Sequence, residues 1–235
     1  MFRKLIFAGL LVVFPLCRLS VGDRTERIVA LHPSAASELA AGERLYEEMG
    51  LAGKVNFIAF RQAVAGYNKI KEKSKPILTL IDFSKPSTEE RLYVFDIEKK
   101  ELLCTSVVSH GKNSGENYAT SFSNQYGSYK SSLGFYLTEH TYQGKNGYSL
   151  ILNGLEEGIN DRAKERAIVV HGAAYANPSV AASSGRLGRS FGCPALPQEL
   201  TKPIINTIKD GSVLFIYANN AQYLAQSRML GKSIS

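Results

Sequence analysis

From residue 77 onward the apolar side chains stop recurring at helical intervals and begin to alternate, in short runs separated by glycine, serine and asparagine. Residues 77–81, 91–97, 101–109, 134–138, 148–152, 167–171 and 212–218 each read as a strand. Glu98-Lys99-Lys100 makes a charged hairpin tip between the second and third of them. Seven short strands, with one helix over 197–209, predict a mainly β fold built as a β-sandwich or partly closed barrel. Long loops at 110–132 and 172–192 interrupt it, and loops of that length in a compact domain are commonly functional or mobile.

The segment before residue 77 follows a helical period instead. Pro33 and Ser34 open a predicted helix that runs to Met49 and is closed by Gly50 as a C-terminal cap. Asn56 caps a second one, with Val55 and Phe60 spaced as a hydrophobic staple and Phe57, Phe60, Val64 and Tyr67 along one face through Ile70. The two helices form a short N-terminal lead-in to the β region.

The extreme N-terminus sets the expected compartment. Arg3 and Lys4 precede an apolar run over residues 5–16, long enough for a secretory signal and too short to span a membrane. Ser20 and Gly22 place small residues before a cut that would make Asp23 the first mature residue; processing at Cys17 or an uncleaved anchor are the alternatives. All three put the rest of the chain outside the cytoplasmic membrane, in the periplasm or cell envelope, with the membrane touched only through that segment. Of the 28 basic residues three lie in the first 22, which leaves 25 against 21 acidic, too small a surplus for nucleic-acid binding. With 44% hydrophobic and 21% charged residues the chain can bury a core, which excludes disorder and coiled coil. Nothing in the sequence sets an oligomeric state.

Beyond the leader two cysteines remain, and an oxidising compartment first suggests that they pair. Their settings argue otherwise. Cys104 lies in a strand-like run where a thiol behaves as a small hydrophobe, whereas Cys193 sits in the turn Gly192-Cys193-Pro194. The second long loop carries the strongest chemical signal: it leaves a strand at His171-Gly172 and ends at Ser190-Phe191-Gly192-Cys193-Pro194. A strand-end imidazole and a cysteine freed by glycine are the parts of a thiol–imidazole pair, because a cysteine needs a neighbouring base or cation to become a nucleophile. Arg186 and Arg189 add positive potential nearby.

His171-Gly172 followed by Ser190-x-Gly192-Cys193 resembles the active-site signature of the murein L,D-transpeptidases, cysteine enzymes of bacterial cell-wall remodelling. The resemblance runs over roughly residues 76–218. It includes Ser109-His110-Gly111, Phe122-Ser123-Asn124, Ser131-Ser132-Leu133-Gly134-Phe135-Tyr136, Gly154-Leu155-Glu156-x-Gly158-x-Asn160 and Gly185-Arg186-Leu187-Gly188-Arg189-Ser190. With the leader and the helical period read above, it divides the chain into a signal peptide at 1–22, a helical segment at 23–75, an L,D-transpeptidase-like catalytic domain at 76–219 and a tail at 220–235. This sequence departs from the family pattern at three points. Phe191 stands where the family has histidine, Pro194-Ala195-Leu196 replaces an apolar residue and arginine, and 18 residues separate His171 from Ser190, more than is usual.

The resemblance implies that Cys193 attacks the carbonyl of the third residue of a tetrapeptide stem, that His171 protonates the departing D-alanine, and that an amine resolves the thioester. The product is a 3–3 cross-link or a stem with an exchanged terminal D-amino acid. Gly192 and Cys193 N–H groups are the expected oxyanion donors, the carbonyl of Gly172 the expected orienter of the imidazole, and Ser190 a helper of the loop or the oxyanion. Arg186 or Arg189 is expected to take the missing arginine's place at a stem carboxylate, with Tyr175, Tyr136 and His110 lining the substrate groove. The alternatives are an L,D-carboxypeptidase or endopeptidase with the same site, a non-catalytic peptidoglycan-binding module, and a disulfide-stapled structural domain. No cofactor is expected: His110, His140 and His171 form no short ligand pair for a metal, and no phosphate-binding glycine loop is present.

Overall fold

The computed structural model describes residues 35–230. The leader at 1–22, the cut before Asp23, Cys17 and the helix start at Pro33-Ser34 lie outside the described residues. The first helix, α1, spans Ala35–Glu48. Gly50, at φ 60°, closes it in the left-handed region. Gly50 N–H then reaches Glu47 O at 3.0 Å and Leu51 N–H reaches Tyr46 O at 3.2 Å, the paired bonds of a Schellman motif. Helix α2 spans Phe57–Lys69, and Asn56 Oδ1 accepts from Ile58 N and Ala59 N at 3.0 and 3.2 Å. Both caps are the ones the sequence predicts.

Eight strands follow: β1 Ile77–Asp82, β2 Leu92–Asp96, β3 Glu101–Ser106, β4 Gly134–Gly144, β5 Gly147–Gly154, β6 Val169–Gly172, β7 Ala195–Leu196 and β8 Val213–Tyr217. Helix α3 (Pro178–Ser184) lies between β6 and β7, α4 (Gln198–Ile208) between β7 and β8, and α5 (Ala221–Gln226) after β8. The strands form one sheet in the order β3-β2-β1-β8-β4-β5-β6-β7, parallel at β1–β8 and β6–β7 and otherwise antiparallel. Its two edges nearly meet. Ser109, just past β3, bridges Ala195 in β7, with Ser109 N–H on Ala195 O at 2.8 Å. The expected mainly β architecture is therefore adopted as a partly closed barrel.

Strands β1, β2 and β8 are buried along their whole length, so both sheet faces are covered there. The helix α2 covers part of one face, and Gly66 allows the approach: a methyl at that position would lie 2.0 Å from Phe135 Cζ. Phe135 in turn stacks on Phe215 with ring centroids 4.1 Å apart.

The structure departs from the sequence reading at four elements. Strand β4 continues six residues past Thr138 to Gly144, because its outer half is a solvent-facing hairpin with β5 and shows no apolar alternation. Strand β7 has two residues, too few to show a period, and exists through its partners. Helix α3 falls inside what reads as a loop. Helix α5 follows residue 219 and is tied to the core by Glu156, whose carboxylate accepts from Phe135 N at 2.8 Å, from Tyr223 Oη at 3.0 Å and from Ser227 Oγ. Asn160 of the same motif holds Glu156 N, Leu133 O and Phe135 O.

Candidate active site

His171 stands near the end of β6, paired with Ser149 of β5 on one side and Ala195 of β7 on the other. Gly172 follows because no larger residue fits: a Cβ there would lie 2.5 Å from Thr201 Oγ1 of α4. The imidazole is 5% exposed and its Nδ1 lies 3.0 Å from Gly172 O. A carbonyl only accepts, so Nδ1 carries the proton and Nε2 is the nitrogen that can receive one. Burial holds the imidazole pKa below its ordinary 6.5, partly offset by that carbonyl.

Cys193 lies two residues before Ala195, the β7 partner of His171. It is 8% exposed, and its thiol donates to Ala167 O at 3.6 Å. Ala167 has φ 53°, the left-handed region that a residue with a Cβ seldom adopts, so this carbonyl is presented at a backbone cost. Burial pushes the thiol pKa up, while the N–H groups of Val169 and Cys193 and the Arg166 guanidinium pull it down. The resting site therefore holds a neutral thiol and a neutral imidazole. Cys104, half-buried on β3, is also a free thiol, so the two cysteines are not paired.

Ser190 closes the turn that presents Cys193. Its Oγ donates to Cys193 O at 2.6 Å and accepts from Gly192 N–H at 3.0 Å. The Gly192 N–H, expected to be an oxyanion donor, thus already has an acceptor. Gly192 is at φ 128°, and a Cβ there would sit 2.9 Å from Lys130 O, so the turn admits glycine alone. Phe191 points outward, 66% exposed; its ring lies 4.9 Å from that of Tyr129, and Lys112 Nζ sits over both. A cleft of about 150 Å³ opens there, lined by Tyr126, Gly127, Tyr129, Arg166 and Phe191. A roomier cavity, about 360 Å³, lies around Phe122, Ile159 and Gln222, without His171 or Cys193 on its wall.

The L,D-transpeptidase catalytic domain family model matches residues 51–217, which take in this whole site. The chain belongs to that family. Solved structures similar to this L,D-transpeptidase domain include an L,D-transpeptidase from Mycobacterium smegmatis, 15% identical over 61% of this chain and 59% of that one, with a TM-score of 0.37. An L,D-transpeptidase from Stackebrandtia nassauensis is 17% identical over 79% and 80% of the two chains, TM-score 0.37. L,D-transpeptidase 3 from Mycobacterium tuberculosis is 13% identical over 60% and 61%, TM-score 0.39. The chain spans about three fifths of the length of the first of these, at 59%. No curated protein matches it.

The remaining expected site residues of the L,D-transpeptidase domain fall into three groups. Tyr175 is half-buried: burial, then the charge of an ionised Cys193, push its phenol up to about 12. Tyr136 and His110 sit inside the protein instead of along a groove. Tyr136 is 0% exposed with its hydroxyl on Ser132 O at 3.1 Å, because β4 is covered on both faces at that point. His110 is 1% exposed, with Nδ1 accepting from buried Arg91 at 2.8 Å and Nε2 donating to Gly115 O at 3.2 Å. His110 O also accepts from Ser190 N at 2.9 Å, so the backbone at this residue supports the turn from behind. Arg186 and Arg189 share one carboxylate, Glu116, at 3.0 and 2.7 Å, and Arg189 also donates to Lys112 O and Gly115 O. Two residues next to this machinery carry no signal in the sequence. Glu116 sits in a polar loop like any solvated acid, and Arg166 precedes β6 as one of several charges at 161–166. Among the described residues no group of three or more His, Cys, Asp or Glu side chains is placed to hold a metal ion, and no helix is long and apolar enough to cross a membrane.

Proposed function

We propose that this protein is an exported cysteine acyltransferase acting on peptidoglycan stem peptides, an L,D-transpeptidase working through a Cys193 thioester. The observation that carries this reading is the family match over residues 51–217, and the placement of Cys193 two residues before the strand that pairs with His171 supports it. The apolar run at 5–16 supports export, and the substrate class lies outside the cytoplasmic membrane.

Because thiol and imidazole are both neutral at rest, the reaction starts with proton transfer. Cys193 gives up its hydrogen bond to Ala167 O, passes its proton to His171 Nε2 and attacks the carbonyl of the third stem residue. The imidazolium then protonates the nitrogen of the departing D-alanine as the C–N bond breaks, leaving a thioester and a neutral imidazole. An incoming amine adds to the thioester, loses a proton to His171 and expels the thiolate, which is reprotonated. A diamino-acid side chain as acceptor gives a 3–3 cross-link, and a free D-amino acid gives exchange. The Cys193 N–H is the turn donor available to the oxyanion once the Gly192 N–H is taken by Ser190.

The test uses the mature protein and its Cys193→Ala variant with a disaccharide tetrapeptide and excess D-methionine, followed by mass spectrometry. Exchange of D-alanine for D-methionine, or joined stems, with Cys193 alone and a thioester of matching mass is the expected result. Loss of D-alanine without exchange assigns a hydrolase to the same site. Folded, reduced protein that forms neither product nor thioester overturns the catalytic reading and leaves a peptidoglycan-binding module.

A further inference from the structure

The Gly192-Cys193 turn rests on an irregular segment whose ends are tied together, with Ser123 N–H on Ser131 O at 3.0 Å and Ser132 Oγ on Ser123 O at 2.8 Å. Residues 123–132 carry no helix or strand, yet they supply the floor against which the turn packs. Arg166, just before β6, organises them. Its Nη1 donates to Ser123 O at 2.8 Å and Ser132 Oγ at 2.5 Å, and its Nη2 to Lys130 O at 2.6 Å and Ser128 Oγ at 3.4 Å. One planar guanidinium thus ties four points of an irregular loop, which a lysine's single ammonium cannot match in geometry. The next links reach the turn: Ser131 Oγ donates to Gly192 O at 3.1 Å, and a Cβ at Gly192 would lie 3.4 Å from Arg166 Nη2 and 2.9 Å from Lys130 O. The guanidinium is half-buried, and its charge and that of an ionised Cys193 act on each other.

We propose that Arg166 is a positioning residue for the reaction at Cys193: it clamps the 123–132 segment behind the Gly192-Cys193 turn and holds a positive charge against the back of that turn. The other groups that face the thiol do not replace that charge. His171 on β6 is neutral at rest, Tyr175 from the turn at 174–176 is a neutral phenol, and Ala167 presents a carbonyl. Lys112 lies over the rings of Tyr129 and Phe191, and Lys130 Nζ donates to Ser121 Oγ at 2.7 Å. As burial disfavours the thiolate, a fixed guanidinium is what makes it reachable during turnover. Charge and clamp are separable by substitution, since lysine keeps the first and loses most of the second.

The inference rests on Cys193 being the nucleophile, and the test reads the thiol directly as well as turnover. In the full chain, the rate of Cys193 alkylation by iodoacetamide is measured from pH 5 to 11 by peptide mass spectrometry, for wild type, Arg166→Gln, Arg166→Lys and Arg186→Gln. Arg166→Gln is expected to raise the midpoint of the alkylation profile by about one pH unit and to slow alkylation at pH 7.5 roughly tenfold. Arg166→Lys is expected to keep the midpoint within about 0.3 units while kcat falls roughly tenfold, and Arg186→Gln to leave the alkylation midpoint where it is in wild type. An unfolded variant would move the opposite way, towards the lower midpoint of a free thiol; the lysine variant then decides alone. An unshifted Arg166→Gln midpoint, an equal shift in Arg186→Gln, or an Arg166→Lys variant with wild-type kcat overturns the proposal. If wild type alkylates as described but turns over no stem peptide, the proposed function fails while the role of Arg166 at the thiol stands.

Discussion

His171 Nδ1 lies 3.0 Å from the carbonyl oxygen of Gly172, its own successor in β6. A base is thereby oriented by backbone, and among the described residues no acidic side chain is bonded to the ring to stabilise its protonated form. Burial lowers the imidazole pKa from 6.5 and raises the thiol pKa from 9.0, so the neutral pair is the resting form across the interval between. The pH profile of kcat/KM is expected to have its acid limb below 6.5, where His171 becomes protonated, and its basic limb above 9, where the thiol is lost before attack. A basic limb well under 9 would instead report a preformed thiolate–imidazolium pair. His171→Gln is expected to lower kcat/KM by about 10²–10⁴-fold, the usual range for a lost general acid–base.

Ser190→Ala removes two bonds at once, leaving Gly192 N–H and Cys193 O without their shared partner. In a buried site this is expected to destabilise the fold by about 1–3 kcal/mol and to lower kcat by at least about tenfold in protein that is still folded. Urea unfolding and steady-state kinetics on the same preparation separate the two effects. A variant that loses stability but keeps its kcat would show that the turn holds its shape without the hydroxyl.

Gly66→Ala ordinarily helps a helix by up to about 1 kcal/mol. Here the methyl would meet the Phe135 ring at 2.0–2.5 Å, and that ring cannot retreat from Phe215. Overpacking is expected to win, with a net loss of about 1–3 kcal/mol measured by the urea midpoint. A neutral or stabilised variant would mean that α2 can shift away from the sheet.

His110 contributes to stability through pH. Burial first, then Arg91, hold its folded pKa at about 4 against an ordinary 6.5. The unfolded chain therefore binds this proton first as pH falls, and stability is lost progressively between about 6.5 and 4, by about 3 kcal/mol in all. Urea unfolding at several pH values should show a steeper acid loss for wild type than for His110→Gln. Parallel curves for the two proteins would exclude the ring as the source.

Local rules were legible in the sequence because their causes lie within a few residues. The Asn56 cap, the Gly50 terminator, seven of the strands and α4 each follow from neighbours along the chain. The strand-end His171 and the glycine-flanked Cys193 were legible as the parts of a thiol–imidazole pair, and family resemblance added the carbonyl of Gly172. What the tertiary structure decided depends on partners far apart in sequence. Strand β7 exists because Ala195 meets His171 on one side and Ser109 on the other, and neither neighbour is visible from two residues of chain. Tyr136 was set inside the barrel, and His110 behind the turn, by strand pairing and by a buried arginine 19 residues away. Arg186 and Arg189 were bound to Glu116, 70 and 73 residues upstream, while Arg166 came to lie behind the Gly192-Cys193 turn. An arginine in a sequence states that a charge is available. Only the packed loops determine which acceptor it reaches, because burial and geometry, not proximity along the chain, set the strength of each pairing.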